Sequence, residues 1–279
     1  MKYGFVLPLG DASAAAELAE LAEDAGWDGF FMWEAVWGID AWVALTAAAM
    51  RTERIRLGTM LTPLARRRPW DLAGQAATLD NLSGGRVILS VGLGAVHPGW
   101  TAFEPDEGRK VRAEKLDEGL AILAGLWSGE PFAYQGKHYQ VSESPFFPPP
   151  PPVQRPRIPI WVVGQSRKPL SMRRAARWDG WLPYFPQPEG ALNRPPAEEL
   201  PTALDWLREE RGSLDDYDVV WEGTTPADDP RAAAETVRPW ADAGATWWIE
   251  ADWNAMESDV LAYARQRLRA GPPRVTPLG

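Results

Sequence analysis

Residues 55–61 read Ile55-Arg56-Leu57-Gly58-Thr59-Met60-Leu61, and residues 84–92 read Gly84-Gly85-Arg86-Val87-Ile88-Leu89-Ser90-Val91-Gly92, with Pro69 between them. The two apolar runs have strand length. The segment joining them opens where proline suits a first helical turn and closes on paired glycines that stop a helix. Neither run alternates polar with apolar, so both faces of each strand are buried. That is the pattern of a parallel sheet covered by helices.

Working outward, the same unit recurs. Towards the N-terminus, strands are expected at 2–8 and 29–33. A helix capped by Asp11 or Ser13 has Ala15, Leu18, Ala22 and Ala25 at helical spacing and ends at Gly26, and a second is capped by Asp40 and runs through Ala49. Towards the C-terminus, strands are expected at 158–163, 179–184, 218–222 and 246–250. Helices are expected at 168–177, within 197–210, at 230–243, and from a Ser258 cap to about 269. Eight strand-then-helix units predict an α/β fold, a (β/α)8 TIM barrel formed by residues 1–279 as a single domain; an open doubly wound sheet is the competing arrangement. A long insertion, about 95–157, separates strands four and five. It holds a helix over 109–127 with Val111, Leu116, Leu120, Leu123 and Trp127 on one face, a segment at 134–141, and five consecutive prolines, Pro148–Pro152. The prolines read as a stiff connector, with a docking ligand as the alternative.

Composition narrows the function. The chain has 279 residues, 45% of them hydrophobic, and a formal net charge of −9. The charge argues against a nucleic-acid partner, whose phosphates need a basic footprint. The one basic cluster, Arg66-Arg67-Arg68, reads as a solvated loop or as a contact for an anionic cofactor tail. No apolar run reaches the roughly 18 residues of a membrane helix, so no membrane partner is expected. There is no cysteine, which excludes disulfides and thiolate chemistry, and a cytoplasmic location is the expectation. The two histidines lack metal-ligand spacing, so no metal site is expected. Sixteen tryptophans is a high count; most are expected to be core or interface anchors, and some are candidates to line a pocket for a flat aromatic ligand.

In a barrel of this kind the working residues sit where strands end and the following loops begin. The strand ends supply Trp33, Glu34 and Trp37 after strand two; Thr59, Met60 and Leu61 after strand three; and Gly92, Gly94 and His97 after strand four. Strand five is followed by Gly164, Gln165 and Ser166, strand six by Tyr184, strand seven by Glu222 and Thr224, and strand eight by Glu250 and Asp252. Gly92-Leu93-Gly94 lacks the third glycine of a dinucleotide fingerprint and reads as a close-approach loop. Gly164-Gln165-Ser166 joins a strand directly to a helix, where backbone N–H groups and a hydroxyl make either an anion cradle or an ordinary cap. His138 sits in the long connection, away from the strand ends. Glu34, Glu222, Glu250 and Asp252 are acid–base candidates or solvated charges. There is no GxSxG, P-loop or kinase motif.

Several of these stretches, in order, resemble the luciferase-like monooxygenase superfamily. They are Arg56-Leu57-Gly58-Thr59 with Leu61-Thr62-Pro63-Leu64; Ala77-Thr78-Leu79-Asp80-Asn81-Leu82-Ser83-Gly84-Gly85-Arg86; and Val91-Gly92-Leu93-Gly94. Further on come Leu116-Asp117-Glu118-Gly119-Leu120 with Leu126-Trp127-Ser128-Gly129, Pro159-Ile160-Trp161-Val162, and Arg174-Ala175-Ala176-Arg177-Trp178-Asp179-Gly180-Trp181. The resemblance implies a (β/α)8 barrel that binds FMN or the 8-hydroxy-5-deazaflavin coenzyme across its mouth and transfers hydride to or from a small organic substrate. It implies a non-proline cis peptide at Met60-Leu61, cofactor contacts from Thr59, Met60, Leu61, Gly92 and Gly94, and the cofactor phosphate at Gly164-Gln165-Ser166. It also implies a homodimer. Trp33, Trp37, Trp100 and Tyr184 are expected to line the substrate pocket, with Glu34 and His97 handling protons. Two positions depart from the family pattern. Ala35 stands where many members have a histidine, and Ala95 where sugar-phosphate dehydrogenases have an acid. These departures admit a second reading, a catalytically degenerate barrel that binds a cofactor or a partner, and a third, a hydrolase or lyase using strand-end carboxylates.

Overall fold

The structure is a computed structural model that describes residues 1–144, 150–185, 197–254 and 259–275. Strands β1 (Lys2–Leu7), β2 (Gly29–Met32), β3 (Arg56–Pro63) and β4 (Val87–Gly92) alternate with helices α1 (Ala12–Asp24), α2 (Ala41–Ala49) and α3 (Pro69–Ser83). After β4 come a one-turn helix α4 (Pro98–Thr101), the long helix α5 (Arg109–Trp127), and a small antiparallel hairpin, β5 (Tyr134–Gln135) with β6 (Gln140–Val141). Then follow β7 (Ile160–Gln165), α6 (Pro169–Ala176), β8 (Gly180–Tyr184), α7 (Glu199–Arg211), β9 (Asp218–Gly223), α8 (Pro230–Asp242), β10 (Trp247–Glu250) and α9 (Val260–Arg269).

The eight long strands close into one parallel barrel in the order β1-β10-β9-β8-β7-β4-β3-β2. Closure, which the sequence leaves open against a doubly wound sheet, is made by parallel pairing of β1 with β10, Lys2 opposite Trp247. The expected caps hold. The Asp11 side chain accepts from Ala14 N, and Asp40 accepts from Trp42 N and Val43 N, each meeting N–H groups that the first helical turn leaves unpaired. Gly84 ends α3 in the left-handed conformation, φ 68°. Ser258 lies outside the described residues; the cap of α9 is Asp259, which accepts from Ala262 N.

One apolar cluster, including Val6, Phe31, Met60, Ile88, Trp161, Leu182, Val220 and Ile249, draws a residue from every barrel strand and fills the interior. A larger cluster lies between the strands and the surrounding helices. The N-terminal end of the barrel is plugged by aromatic rings. Trp161 packs against Trp247 with ring centroids 5.1 Å apart and against Phe31 at 5.4 Å. Asp218, the first residue of β9, accepts from the indole nitrogens of both tryptophans, at 3.1 and 2.9 Å. The plug fits because β2 starts with Gly29 and β1 carries Gly4 as its third residue. A Cβ on Gly29 would stand 2.6 Å from the Phe31 ring, and one on Gly4 would stand 2.8 Å from it. The rings fill the barrel interior at that end, and in such barrels ligands bind at the C-terminal ends of the strands.

Candidate active site at the barrel mouth

Along β9 the side chains alternate, and Val220 belongs to the interior cluster. Asp218 and Glu222, two residues either side of it, therefore share its inward face. Asp218 serves the plug, while Glu222 stands at the opposite end. There a cavity of about 620 Å³ opens among the ends of β3, β7, β8, β9 and β10, within the size range of cofactor and substrate pockets. Leu61, Val163, Tyr184, Glu222, Asp252 and Trp253 are among the residues that line it. The Trp253 indole donates to Glu222 Oε2 at 3.2 Å. Burial pushes the Glu222 carboxyl above the usual carboxylate range, and the Trp253 hydrogen bond opposes that shift only in part.

Leu61 reaches the cavity through an irregularity in β3. The Met60-Leu61 peptide is cis, as the family resemblance implies, and the register against β4 shifts between Thr59 and Thr62. Met60 is left in the interior cluster while Leu61 lines the mouth. Gly92 makes room for this: a Cβ there would lie 3.1 Å from both the Leu61 and Val163 side chains. Thr59 and Thr62 are buried behind the irregularity with their hydroxyl oxygens 2.8 Å apart.

Glu34 belongs to that buried layer. It accepts from Thr62 Oγ1 at 2.6 Å, from Trp42 Nε1 at 3.1 Å and from Arg67 Nη1 at 2.9 Å, and it is not among the residues lining the mouth cavity. Two of the three clustered arginines are engaged within the protein, while Arg68 is exposed. Arg67 pairs with Glu34, and Arg66 pairs with Glu104 at 2.5 Å and stacks 3.6 Å over the Trp100 ring. Trp100 is thereby sealed, 3% exposed, and donates to Glu104 at 2.8 Å. Gly94 lies against it in a left-handed conformation, φ 74°, and a Cβ there would stand 2.6 Å from the indole. Trp33 is half-buried, and Trp37 is 82% exposed. His97 is exposed; its backbone carbonyl accepts from the N–H groups of Trp100 and Thr101 at the start of α4. Of the four expected pocket walls, Tyr184 lines the cavity. Glu250 faces outward into a buried pair with Arg267, at 3.4 Å, that ties α9 to the barrel wall.

The segment after β7 departs from a simple anion cradle. Gln165 N donates to Ser171 Oγ and Ser166 N to Tyr184 O, so both backbone donors are already used. Gly164 is required by packing, because its carbonyl accepts from Trp181 Nε1 and a Cβ would lie 2.5 Å from that nitrogen. Gln165 Oε1 accepts from Arg109 Nη2 at 2.7 Å. What remains is the Ser166 hydroxyl, which is buried and has no hydrogen-bond partner. It borders a second cavity of about 340 Å³, shared with Arg167, Lys168, Met172, Phe185 and Trp206. A buried polar atom without a partner costs roughly 1–3 kcal/mol.

Trp253 is the residue that sequence reasoning did not find, since it lies beyond a strand end in a segment with no periodic signal. Glu222 was findable as more than one carboxylate among several: alternation places it on the face of Val220. Among the described residues no cluster of three His, Cys, Asp or Glu side chains can hold a metal, and no helix is long and apolar enough to cross a membrane.

A closed parallel barrel, plugged at one end and carrying a cofactor-sized cavity at the other, defines the class of (β/α)8 barrels that bind ligands at their C-terminal mouth. Within that class, the family model for luciferase-like monooxygenases matches residues 4–272, and the chain belongs to that family. It is 33% identical over 242 residues to a putative coenzyme F420-dependent oxidoreductase of Mycobacterium tuberculosis, the match covering 78% of this chain and 64% of the relative. It is 32% identical over 210 residues to the F420-dependent glucose-6-phosphate dehydrogenase of Intrasporangium calvum, covering 71% and 58%. The chain thus spans roughly three-fifths of the length of these curated relatives. Its fold is shared with the coenzyme F420-dependent tetrahydromethanopterin reductase of Methanopyrus kandleri, with a TM-score of 0.75, 17% identity and 96% of each chain covered. It is shared too with the oxygenating constituent of 3,6-diketocamphane monooxygenase of Pseudomonas putida, solved with FMN, with a TM-score of 0.72, 16% identity and 99% of each chain covered.

Proposed function

We propose that this chain, acting as one barrel domain, is an oxidoreductase that binds FMN or the 8-hydroxy-5-deazaflavin coenzyme F420 at the barrel mouth and moves hydride to or from a small organic substrate. The observation that carries this is the mouth cavity with Leu61 projecting into it, in a barrel that keeps a buried, unpartnered hydroxyl at Ser166 where a strand runs into a helix. The residues fit such a group. Leu61 and Val163 offer an apolar bed, and Ser166 and Lys168 offer donors for a phosphate, while Arg167 beside them pairs with Glu199 at 3.2 Å. When bound, the cofactor supplies the hydride; the protein orients it and limits its access to water. Both named relatives use F420, and the FMN-containing structural neighbour keeps FMN as the other candidate. A small-molecule substrate, a cytoplasmic location, a homodimer, and no nucleic-acid partner for a chain of net charge −9 complete the proposal.

The test is a titration of the purified protein with FMN and with F420, followed by fluorescence. Saturable binding of one of them with Kd below about 50 μM, about −6 kcal/mol, is expected, and binding of neither refutes the proposal. Ser166→Ala sharpens it. Without cofactor the variant is as stable as the parent or more so, because it removes an unpartnered buried hydroxyl. With cofactor its Kd rises about 10-fold or more, the worth of one hydrogen bond to a charged group.

A further inference from the structure

Two alanines, Ala35 and Ala95, occupy positions where the family resemblance leads one to expect a proton-handling side chain, and His97 is exposed. The mouth cavity nevertheless contains a carboxyl group. Glu222 faces inward from the end of β9 and lines the same cavity as Leu61. Its Oε2 is held by Trp253, and its Oε1 has no hydrogen-bond partner among the described residues. The other titratable side chains lining the cavity are Asp252 and Tyr184. No lysine, arginine or histidine lines it among the described residues. On the outer side of the wall, the nearest buried charges, Glu250 and Arg267, are paired with each other.

We propose that Glu222 is the substrate-contacting proton donor of this cavity, and that the substrate is an uncharged organic molecule with a polarised C=O or C=N bond rather than a phosphate ester. This rests on the oxidoreductase reading above and adds the acid and the substrate class. Three observations support it. Among the described residues the lining offers no cation to a phosphate dianion and presents the Asp252 and Glu222 carboxyl groups instead, whereas phosphate sites are built from arginine, lysine or convergent N–H groups. An uncharged carbonyl or imine needs one hydrogen-bond donor, and a carboxyl that shares its cavity with Leu61, Val163 and Trp253 is biased towards the protonated, donating form by the cost of burying its charge. Trp253 fixes one oxygen, and the other has no hydrogen-bond partner among the described residues.

The step balances. With reduced cofactor bound, hydride would be supplied to the substrate carbon and the π electrons of C=O or C=N would move to the heteroatom. That atom takes the proton from Glu222 as its O–H bond breaks, and solvent at the open mouth returns a proton to the carboxylate. The products are an alcohol or amine and the oxidised cofactor. The reverse direction uses Glu222 as the base.

The experiment has two arms, run on the full chain, with cofactor affinity measured beside each. In the first, infrared difference spectra are taken at pH 7 between the parent and Glu222→Gln. A protonated-carboxyl C=O band present in the parent and missing in the variant is expected. In Trp253→Phe the band should persist at a shifted frequency, since the carboxyl remains but its hydrogen bond is lost. A parent whose Glu222 is fully ionised at pH 7 overturns the donor role. In the second, calorimetry with glucose 6-phosphate is expected to show no saturable binding at millimolar concentration to the cofactor-loaded protein. Saturable binding that Glu222→Gln alters overturns the substrate class. With cofactor bound, reduction of uncharged ketones, enones and imines should fall about 10²-fold or more in Glu222→Gln, the usual worth of a general acid. Cofactor Kd should change less than about 3-fold, within the spread of such context effects. If the variants bind cofactor normally and the carboxyl band is absent, this inference fails while the oxidoreductase reading stands; if the parent binds neither cofactor, the oxidoreductase reading itself fails.

Discussion

Replacing Glu34 by alanine should cost stability before it costs chemistry. The Glu34 carboxylate is 8% exposed and takes three donors, Thr62, Trp42 and Arg67. In Glu34→Ala the Thr62 hydroxyl keeps its contact with Thr59 and Arg67 Nη2 keeps Gln75, but Arg67 Nη1 and the Trp42 indole lose their acceptor. Removing one partner of a buried ion pair costs about 3–5 kcal/mol. Arg67 retains 23% exposure, so water offsets part of the loss and the low end, about 3 kcal/mol, applies. At about 2–4 °C per kcal/mol for a domain approaching this size, Tm falls by about 6–12 °C. Glu34→Gln keeps an acceptor but loses the charge, and should fall about half as far. Urea unfolding of Glu34→Ala, Arg67→Met and the double variant then gives the coupling, expected at about 1.5 kcal/mol or more with unchanged m. A Glu34→Ala protein that melts within about 2 °C of the parent yet loses turnover would refute this reasoning and make Glu34 a reacting group.

Other sites give sharper contrasts. Gly94→Ala forces a Cβ to 2.6 Å from Trp100 at φ 74°, and should destabilise by about 2 kcal/mol or more, read as a lowered urea midpoint. Asp218→Leu leaves the Trp161 and Trp247 indoles without an acceptor, at about 1–3 kcal/mol each. Because that plug is at the far end of the barrel, cofactor Kd should be unchanged; a large change there would show that the two ends are coupled. Glu222 gives a pH signature. Its carboxyl is raised in the folded protein, so above the unfolded value the folded state holds the extra proton, and stability falls as pH rises through the folded value. Glu222→Gln should therefore melt with the parent near about pH 4 and above it at about pH 8; identical profiles would rule out a buried carboxyl.

The barrel was legible because its evidence is local and repeated. Near-continuous apolar runs, Asp11 and Asp40 as caps, and Gly84 as a stop each report on a few neighbouring residues, and α5 occupies 109–127 as its periodicity predicts. The site was only partly legible, because it is made by residues far apart in sequence. Nothing local distinguishes Trp100, clamped beneath Arg66, from a pocket wall. Nothing local shows that the N–H groups of Gln165 and Ser166 are already used while the Ser166 hydroxyl is not. The pairing of Trp253 with Glu222 spans 31 residues and two strands, and only the closed barrel brings the two together.

The inward face of β9 carries Asp218 at the plugged end and Glu222 at the open one, with Val220 between. A slip of one residue in that strand would turn all three outward together. It would strand two indole N–H groups in the plug and empty the mouth of its inward carboxyl at the same moment. A register error in β9 therefore carries a stability cost at the plug together with the change at the mouth.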